Sequence, residues 1–171
     1  MLHVYHGDGK GKTTCAIGLA VRGAGAGMNI LIIQFLKGSK TSELDSLAKI
    51  PHIKILRNSK DYGFINTMTK DQLDIVKNEH NANLTKALKL IEEQKCDMLI
   101  LDELTYVYDM NLIDKEKIDD LIKNASKNIE IVITGRNPDK LFLESADYVT
   151  EMKLQKHPFE KGISARKGIE F

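Results

Sequence analysis

LHVYHGDGKGKTTCAIGLA, residues 2–20, passes from an apolar run through a glycine-rich turn into a run of good helix formers. Leu2 to Tyr5 reads as a short buried strand and Cys15 to Ala26 as a helix, with a phosphate-binding loop between them. Glycines at positions 7, 9 and 11 let backbone N–H groups converge on a polyanion with no Cβ atoms in the way. The helix that follows adds the positive end of its dipole. Lys12 supplies a mobile ammonium for the phosphates, Lys10 a second cation, and Thr13 a hydroxyl able to ligate a phosphate-bound Mg2+ or Mn2+ ion. Gly7, Asp8, Gly9, Lys10, Gly11, Lys12, Thr13 and Thr14 thus form the expected nucleotide-binding loop. Its spacing, GxxxGKT, is one residue shorter than the usual GxxxxGK[ST], and His6 stands where the longer pattern has glycine. A glycine-rich turn that binds nothing is the bland alternative, but the flanking strand and helix are the context in which such a loop works.

Outward from the loop, the first helix should stop in Gly23-Ala24-Gly25-Ala26-Gly27, and Ile30 to Phe35 is a continuous apolar run of the kind buried on both faces of a parallel sheet. Ser42 to Lys49 reads as a short helix, His52 to Leu56 as a strand, and Arg57 to Met68 as a polar loop containing Tyr62-Gly63-Phe64. A helix is expected from Thr69 to about Gln94, opened by a capping box of Thr69 and Gln72. Met98 to Leu101 is a strand ending in Asp102-Glu103. Ile118 to Ile122 suggests a helix, Ile129 to Ile133 a strand leading into Thr134-Gly135-Arg136, and Tyr148 to Leu154 the last strand. Alternating strands and helices predict an α/β fold of the P-loop NTPase-like, RecA type: one domain over residues 1–171, with a mainly parallel sheet, helices on both faces and ligands beyond the carboxyl ends of the strands. Asp102 and Glu103 would then hold the metal or its waters beside Thr13.

The chain has 171 residues and 42% hydrophobic content, enough for a real core in one domain. Its 25 basic and 24 acidic residues leave a net charge of +1, so no whole-protein field favours nucleic acid or a membrane surface. No stretch approaches the roughly 20 apolar residues of a membrane span, and the expectation is a soluble, cytoplasmic protein. Cys15 and Cys96 lack metal-ligand spacing and read as small buried hydrophobes. His3, His6, His52, His80 and His157 show no metal spacing either, and His80 interrupts the apolar side of the long helix.

Five blocks, in order along the chain, resemble the ATP:corrinoid adenosyltransferases of the CobA/CobO/BtuR family. They are the shortened loop GDGKGKTT, Gln34-Phe35-Leu36-Lys37-Gly38, Leu101-Asp102-Glu103-Leu104-Thr105-Tyr106, Ile133-Thr134-Gly135-Arg136 and the terminal KHPFEKGISARKGIEF. The resemblance implies an ATP:cob(I)alamin or cob(I)yrinic acid a,c-diamide adenosyltransferase, which moves the 5′-deoxyadenosyl group of ATP to the Co(I) of a reduced corrinoid and releases triphosphate. It implies ATP held with reversed polarity in the loop, Arg136 as a further clamp on the phosphates, and Arg22 as an ATP-binding residue, with a solvated arginine on the helix surface as the alternative. Thr13 and Glu103 would bind the metal with Asp102 behind them, although the sequence leaves open which carboxylate touches the ion. Phe64 would be the apolar wedge that displaces the corrin's lower axial ligand, with core packing as its alternative role.

The family resemblance also implies a homodimer and a flavoprotein reductant, with cobalamin, cobinamide or cobyrinic acid a,c-diamide as the corrinoid. Residues 155–171 are expected to be a functional tail, in which His157 either touches ligand or interface or has a structural role, the sequence leaving both open. Two departures stand out. The chain has no tryptophan, which the better-known members carry near the aromatic segment. The loop also begins a few residues from Met1, without the N-terminal cover of many members, so a cover is expected from elsewhere or not at all. A kinase or ATPase, releasing ADP and phosphate, and a non-catalytic corrinoid or nucleotide carrier are the competing classes.

Overall fold

The computed structural model describes residues 1–63 and 65–170. Six strands form one sheet in the order β3-β2-β4-β5-β1-β6: β1 (Leu2–His6), β2 (Ile30–Gln34), β3 (Ile53–Arg57), β4 (Met98–Asp102), β5 (Glu130–Gly135) and β6 (Tyr148–Glu151). Every neighbouring pair is parallel. The strand that feeds the phosphate loop, β1, is therefore separated from β4, which ends in Asp102, by β5 alone.

Alternate residues of the central strands enter two cores. Ile30, Ile32, Met98, Ile100 and Val132 pack under α1 (Lys12–Gly25) and α2 (Ser42–Leu47). Leu31, Ile33, Leu99, Leu101, Ile131 and Ile133 face α3 (Lys70–Glu92), α4 (Leu104–Asp109), α5 (Lys115–Asn124) and α6 (Lys140–Ser145). Helix α1 meets the sheet through Ala16, Ala20, Gly23 and Ala24, small residues at helical spacing that admit a close approach. Each fully buried leucine or isoleucine of these cores contributes about 1.5–3 kcal/mol.

The expected capping box is present. Thr69 Oγ1 accepts from the Gln72 N–H at 3.3 Å, and Gln72 Oε1 accepts from the Thr69 N–H at 2.8 Å. Two short helices, α4 and α6, go beyond the sequence reading; at six residues each they are too short for a helical period to register. The last strand stops at Glu151 rather than Leu154, because the chain there turns to support the phosphate loop. Cys15 requires a correction. It is exposed whereas Cys96 is buried, since the buried stripe of α1 starts at the next residue, Ala16. Among the described residues no helix is long and apolar enough to cross a membrane.

Candidate active site

The phosphate loop is held from below by the end of β6. Met152 N–H donates to His6 O at 2.7 Å, and Gly9 N–H donates to Met152 O at 2.7 Å. A Cβ on Gly7 or Gly9 would come within 2.6 Å of that same carbonyl, so glycine at these positions is a matter of clearance. Gly11 caps α1 with φ 119°, a conformation that disfavours any side chain. Lys12 opens the helix and curls back, donating from Nζ to Gly9 O at 2.7 Å. Burial pulls its ammonium pKa below the usual value against the opposing pull of Glu103, while Arg136 lowers it further.

Across the loop, the ends of β2, β4 and β5 build one network around Asp102, which is 1% exposed. Asp102 Oδ1 accepts from Thr13 Oγ1 at 2.8 Å and Thr134 Oγ1 at 2.7 Å. Its Oδ2 accepts from Lys37 Nζ at 2.7 Å and more weakly from Gln34 Nε2 at 3.4 Å. All of the carboxylate's acceptor sites are engaged. Glu103 behaves differently. It sits at φ 63°, held there by its N–H donating to Thr134 Oγ1 at 3.0 Å, and its carboxylate makes no hydrogen bond or ion pair among the described residues. Burial raises its pKa, Asp102 adds to the rise, and Lys37, Lys12 and Arg136 oppose it.

Of these groups Lys12, Thr13, Lys37 and Glu103 line a cavity of about 510 Å³, bounded further by Lys10, Gly11, Thr14, Ile17, Thr41, Ser42, Glu43, Ser46 and Gly168–Glu170. Thr13 Oγ1 and the free Glu103 carboxylate are hard oxygen donors suited to Mg2+ or Mn2+. Asp102, already saturated, suits the outer position that orients them. The C-terminal turn closes one side: Lys10 Nζ donates to Ile169 O at 2.6 Å and lies 3.9 Å from Glu170 Oε1, which Arg166 pairs at 3.1 Å.

Arg136 is exposed at the loop's rim, with Nε 3.8 Å from Asp8 Oδ1, and its carbonyl accepts from Thr105 Oγ1 at 2.5 Å. Arg22 is brought to a different place. It is exposed in the last turn of α1, about 15 Å along the axis from Lys12 at 1.5 Å per residue, and does not line the cavity within this chain. Phe64 lies outside the described residues; beside it, Tyr62 donates to Glu79 Oε1 at 3.1 Å. His157 accepts from the Phe159 N–H at 3.2 Å and so caps the short turn Pro158–Lys161. Sequence reasoning gave no role to Lys37 or Thr134. The signal available was positional, since both lie at or just past the carboxyl end of a parallel strand.

A profile of the family described as ATP:corrinoid adenosyltransferase BtuR/CobO/CobP matches residues 1–171. A corrinoid adenosyltransferase of Pseudomonas aeruginosa is 33% identical, covering 100% of this chain and 83% of its own length. The Salmonella typhimurium corrinoid adenosyltransferase CobA is 29% identical, covering 98% of this chain and 84% of its own. Among solved structures, a KaiC-like protein of Pyrococcus horikoshii superposes with TM-score 0.54 at 16% identity, covering 91% of this chain and 73% of that one. EssC ATPase domains from Geobacillus thermodenitrificans give TM-score 0.52 at 13% identity, covering 98% of this chain but only 34% of theirs. With a phosphate loop, a carboxylate pair at the end of β4 and a family match over the whole length, the chain belongs to the ATP:corrinoid adenosyltransferases of the BtuR/CobO/CobP family.

Proposed function

We propose that the chain performs its family's reaction in the cavity above the phosphate loop, transferring the 5′-deoxyadenosyl group of ATP to a reduced corrinoid, with Glu103 and Thr13 as the divalent-metal ligands. The observation that carries the metal assignment is the contrast between the carboxylates: Asp102 has its acceptors filled by Thr13, Thr134, Lys37 and Gln34, while Glu103 lines the cavity with no partner for its carboxylate among the described residues.

The electron pair that forms the new bond belongs to the substrate's Co(I). It attacks C5′ of the ribose, the C5′–O5′ bond breaks, and its electrons leave on triphosphate. No side chain needs to take a proton from the nucleophile, so the protein's share is positioning and charge stabilisation. As negative charge grows on the departing oxygen, Lys10, Lys12, Lys37 and Arg136 surround it, and the loop N–H groups not already used contribute hydrogen bonds. A bound Mg2+ or Mn2+ would add positive charge at the phosphate oxygens.

The finer roles are extensions of the same reading. Residues 155–171 act as the cover of the phosphate site, supported by the contact of Ile169 and Glu170 with Lys10. Phe64 is the wedge against the corrin's lower face, supported by its place in the aromatic segment. The enzyme works as a cytoplasmic homodimer fed with Co(I) by a flavoprotein; the exposed edge strand β6, with Tyr148 and Val149 about half exposed, is compatible with pairing of two copies.

Anaerobic incubation with ATP, Mg2+ and chemically reduced cob(I)alamin tests the reaction. Expected are light-sensitive adenosylcobalamin and inorganic triphosphate, and their loss in Lys12→Ala by about 10²- to 10³-fold in kcat. ADP and phosphate with no adenosylated corrinoid would instead indicate a kinase or ATPase.

A further inference from the structure

Lys37 brings a cation beside the proposed metal ligand Thr13 and its partner Asp102. Lys37 Nζ lies 2.7 Å from Asp102 Oδ2 and 3.5 Å from Thr13 Oγ1. Its stem leaves the end of β2 and crosses to the end of β4, strands paired at Gln34 and Asp102. Thr13 spends its proton on Asp102, so its remaining lone pairs face the ammonium. A divalent ion bound to Thr13 Oγ1 at about 2.1 Å would sit within a few ångströms of Lys37 Nζ, at which range the two cations repel strongly in a partly buried site. Lysine's flexible four-carbon stem allows the ammonium to swing aside, and the cavity it lines is where the triphosphate toward which it would move is proposed to bind.

We infer that Lys37 is a resident stand-in for the divalent cation, holding Asp102 and Thr13 in place while the site is empty and moving onto the triphosphate when nucleotide and metal enter together. Metal binding is thereby made conditional on nucleotide: the free enzyme rejects the bare ion, and the triphosphate, by drawing Lys37 away, admits it. The inference rests on the assignment of Thr13 and Glu103 as metal ligands.

The experiment measures Mn2+ affinity by electron paramagnetic resonance, with and without inorganic triphosphate, in the wild type, Lys37→Met and Lys37→Gln. In the absence of triphosphate, both variants should bind Mn2+ at least about tenfold more tightly than the wild type. Adding Glu103→Gln should abolish that gain. Both variants should also bind triphosphate at least about tenfold more weakly, a loss matching one charge-assisted contact. General damage to the fold cannot tighten metal binding, and Lys37→Gln, which keeps a donor for Asp102, carries the test where Lys37→Met does not fold. Unchanged Mn2+ affinity in the triphosphate-free variants overturns the role of Lys37. If instead Glu103→Gln alone leaves Mn2+ binding with triphosphate unaltered, the ligand assignment itself is wrong, and the inference goes with it.

Discussion

His80 stands on the buried stripe of the longest helix, where spacing asks for an apolar side chain, and it is fully buried. Its ring is satisfied as a neutral imidazole: Nδ1 donates to Leu112 O at 3.0 Å, and Leu36 N–H donates to Nε2 at 3.4 Å. Burial therefore pushes its pKa down. Because the unfolded chain protonates at the ordinary histidine value and the folded one only below it, stability contributed by neutral His80 is present above that value. It is lost as pH falls toward the folded pKa, by about 1.4 kcal/mol per pH unit. Urea unfolding at a series of pH values should show a steeper acid loss in the wild type than in His80→Gln; parallel curves would contradict this. Thr134 is the other residue whose importance is invisible in one dimension. Its hydroxyl donates to Asp102 and accepts from Glu103 N–H. Thr134→Val should cost about 1–3 kcal/mol in unfolding free energy, with a further drop in adenosylation as Glu103 loses its hold. Lys10, Lys12, Thr13 and Glu103 were legible from motif alone and share one cavity. The bonds of Lys37 and Thr134 to Asp102 span 65 and 32 residues, a separation no local pattern encodes.

Helix α3 was foreseen, start signal included, because its capping pair and its apolar spacing at Leu73, Val76, Leu84, Leu88 and Ile91 are local features. Thr69→Ala removes the acceptor for Gln72 N–H and should lower unfolding free energy by about 1 kcal/mol, read from chemical denaturation, with adenosylation unchanged because the cap lies outside the cavity. Helices α4 and α6 were not foreseen. In α4, four of six residues are buried, so the segment has no polar face to reveal a period, and its conformation follows from packing on β5 once Glu103 has turned the chain at φ 63°. Cys15 teaches the converse: helix formation was legible, but residue type and the lack of metal spacing do not say which side of the helix faces the sheet, and the stripe of Ala16, Ala20, Gly23 and Ala24 decided that.

The six parallel strands bring loops from five of their carboxyl ends, after β1, β2, β4, β5 and β6, to the phosphate site, which explains why motif blocks scattered from Gly7 to Arg136 serve one chemistry. The tail reaches the same place from the far end of the sequence and touches the loop mainly through Lys10. Deleting residues 166–171 should accordingly move the thermal midpoint by less than about 4 °C while reducing turnover; full turnover in the truncated protein would remove the tail from the catalytic site. By itself the sequence determined the class of fold, the strand and long-helix positions and the loop's ligand class, since hydrophobic period, capping and glycine clearance act over a few residues. Only the tertiary structure decided that Asp102 is saturated while the Glu103 carboxylate has no partner among the described residues, that Lys37 reaches Asp102, and that the tail lies over Lys10. Those outcomes depend on which strand ends become neighbours, and burial and hydrogen bonding between them exist only once the sheet has assembled.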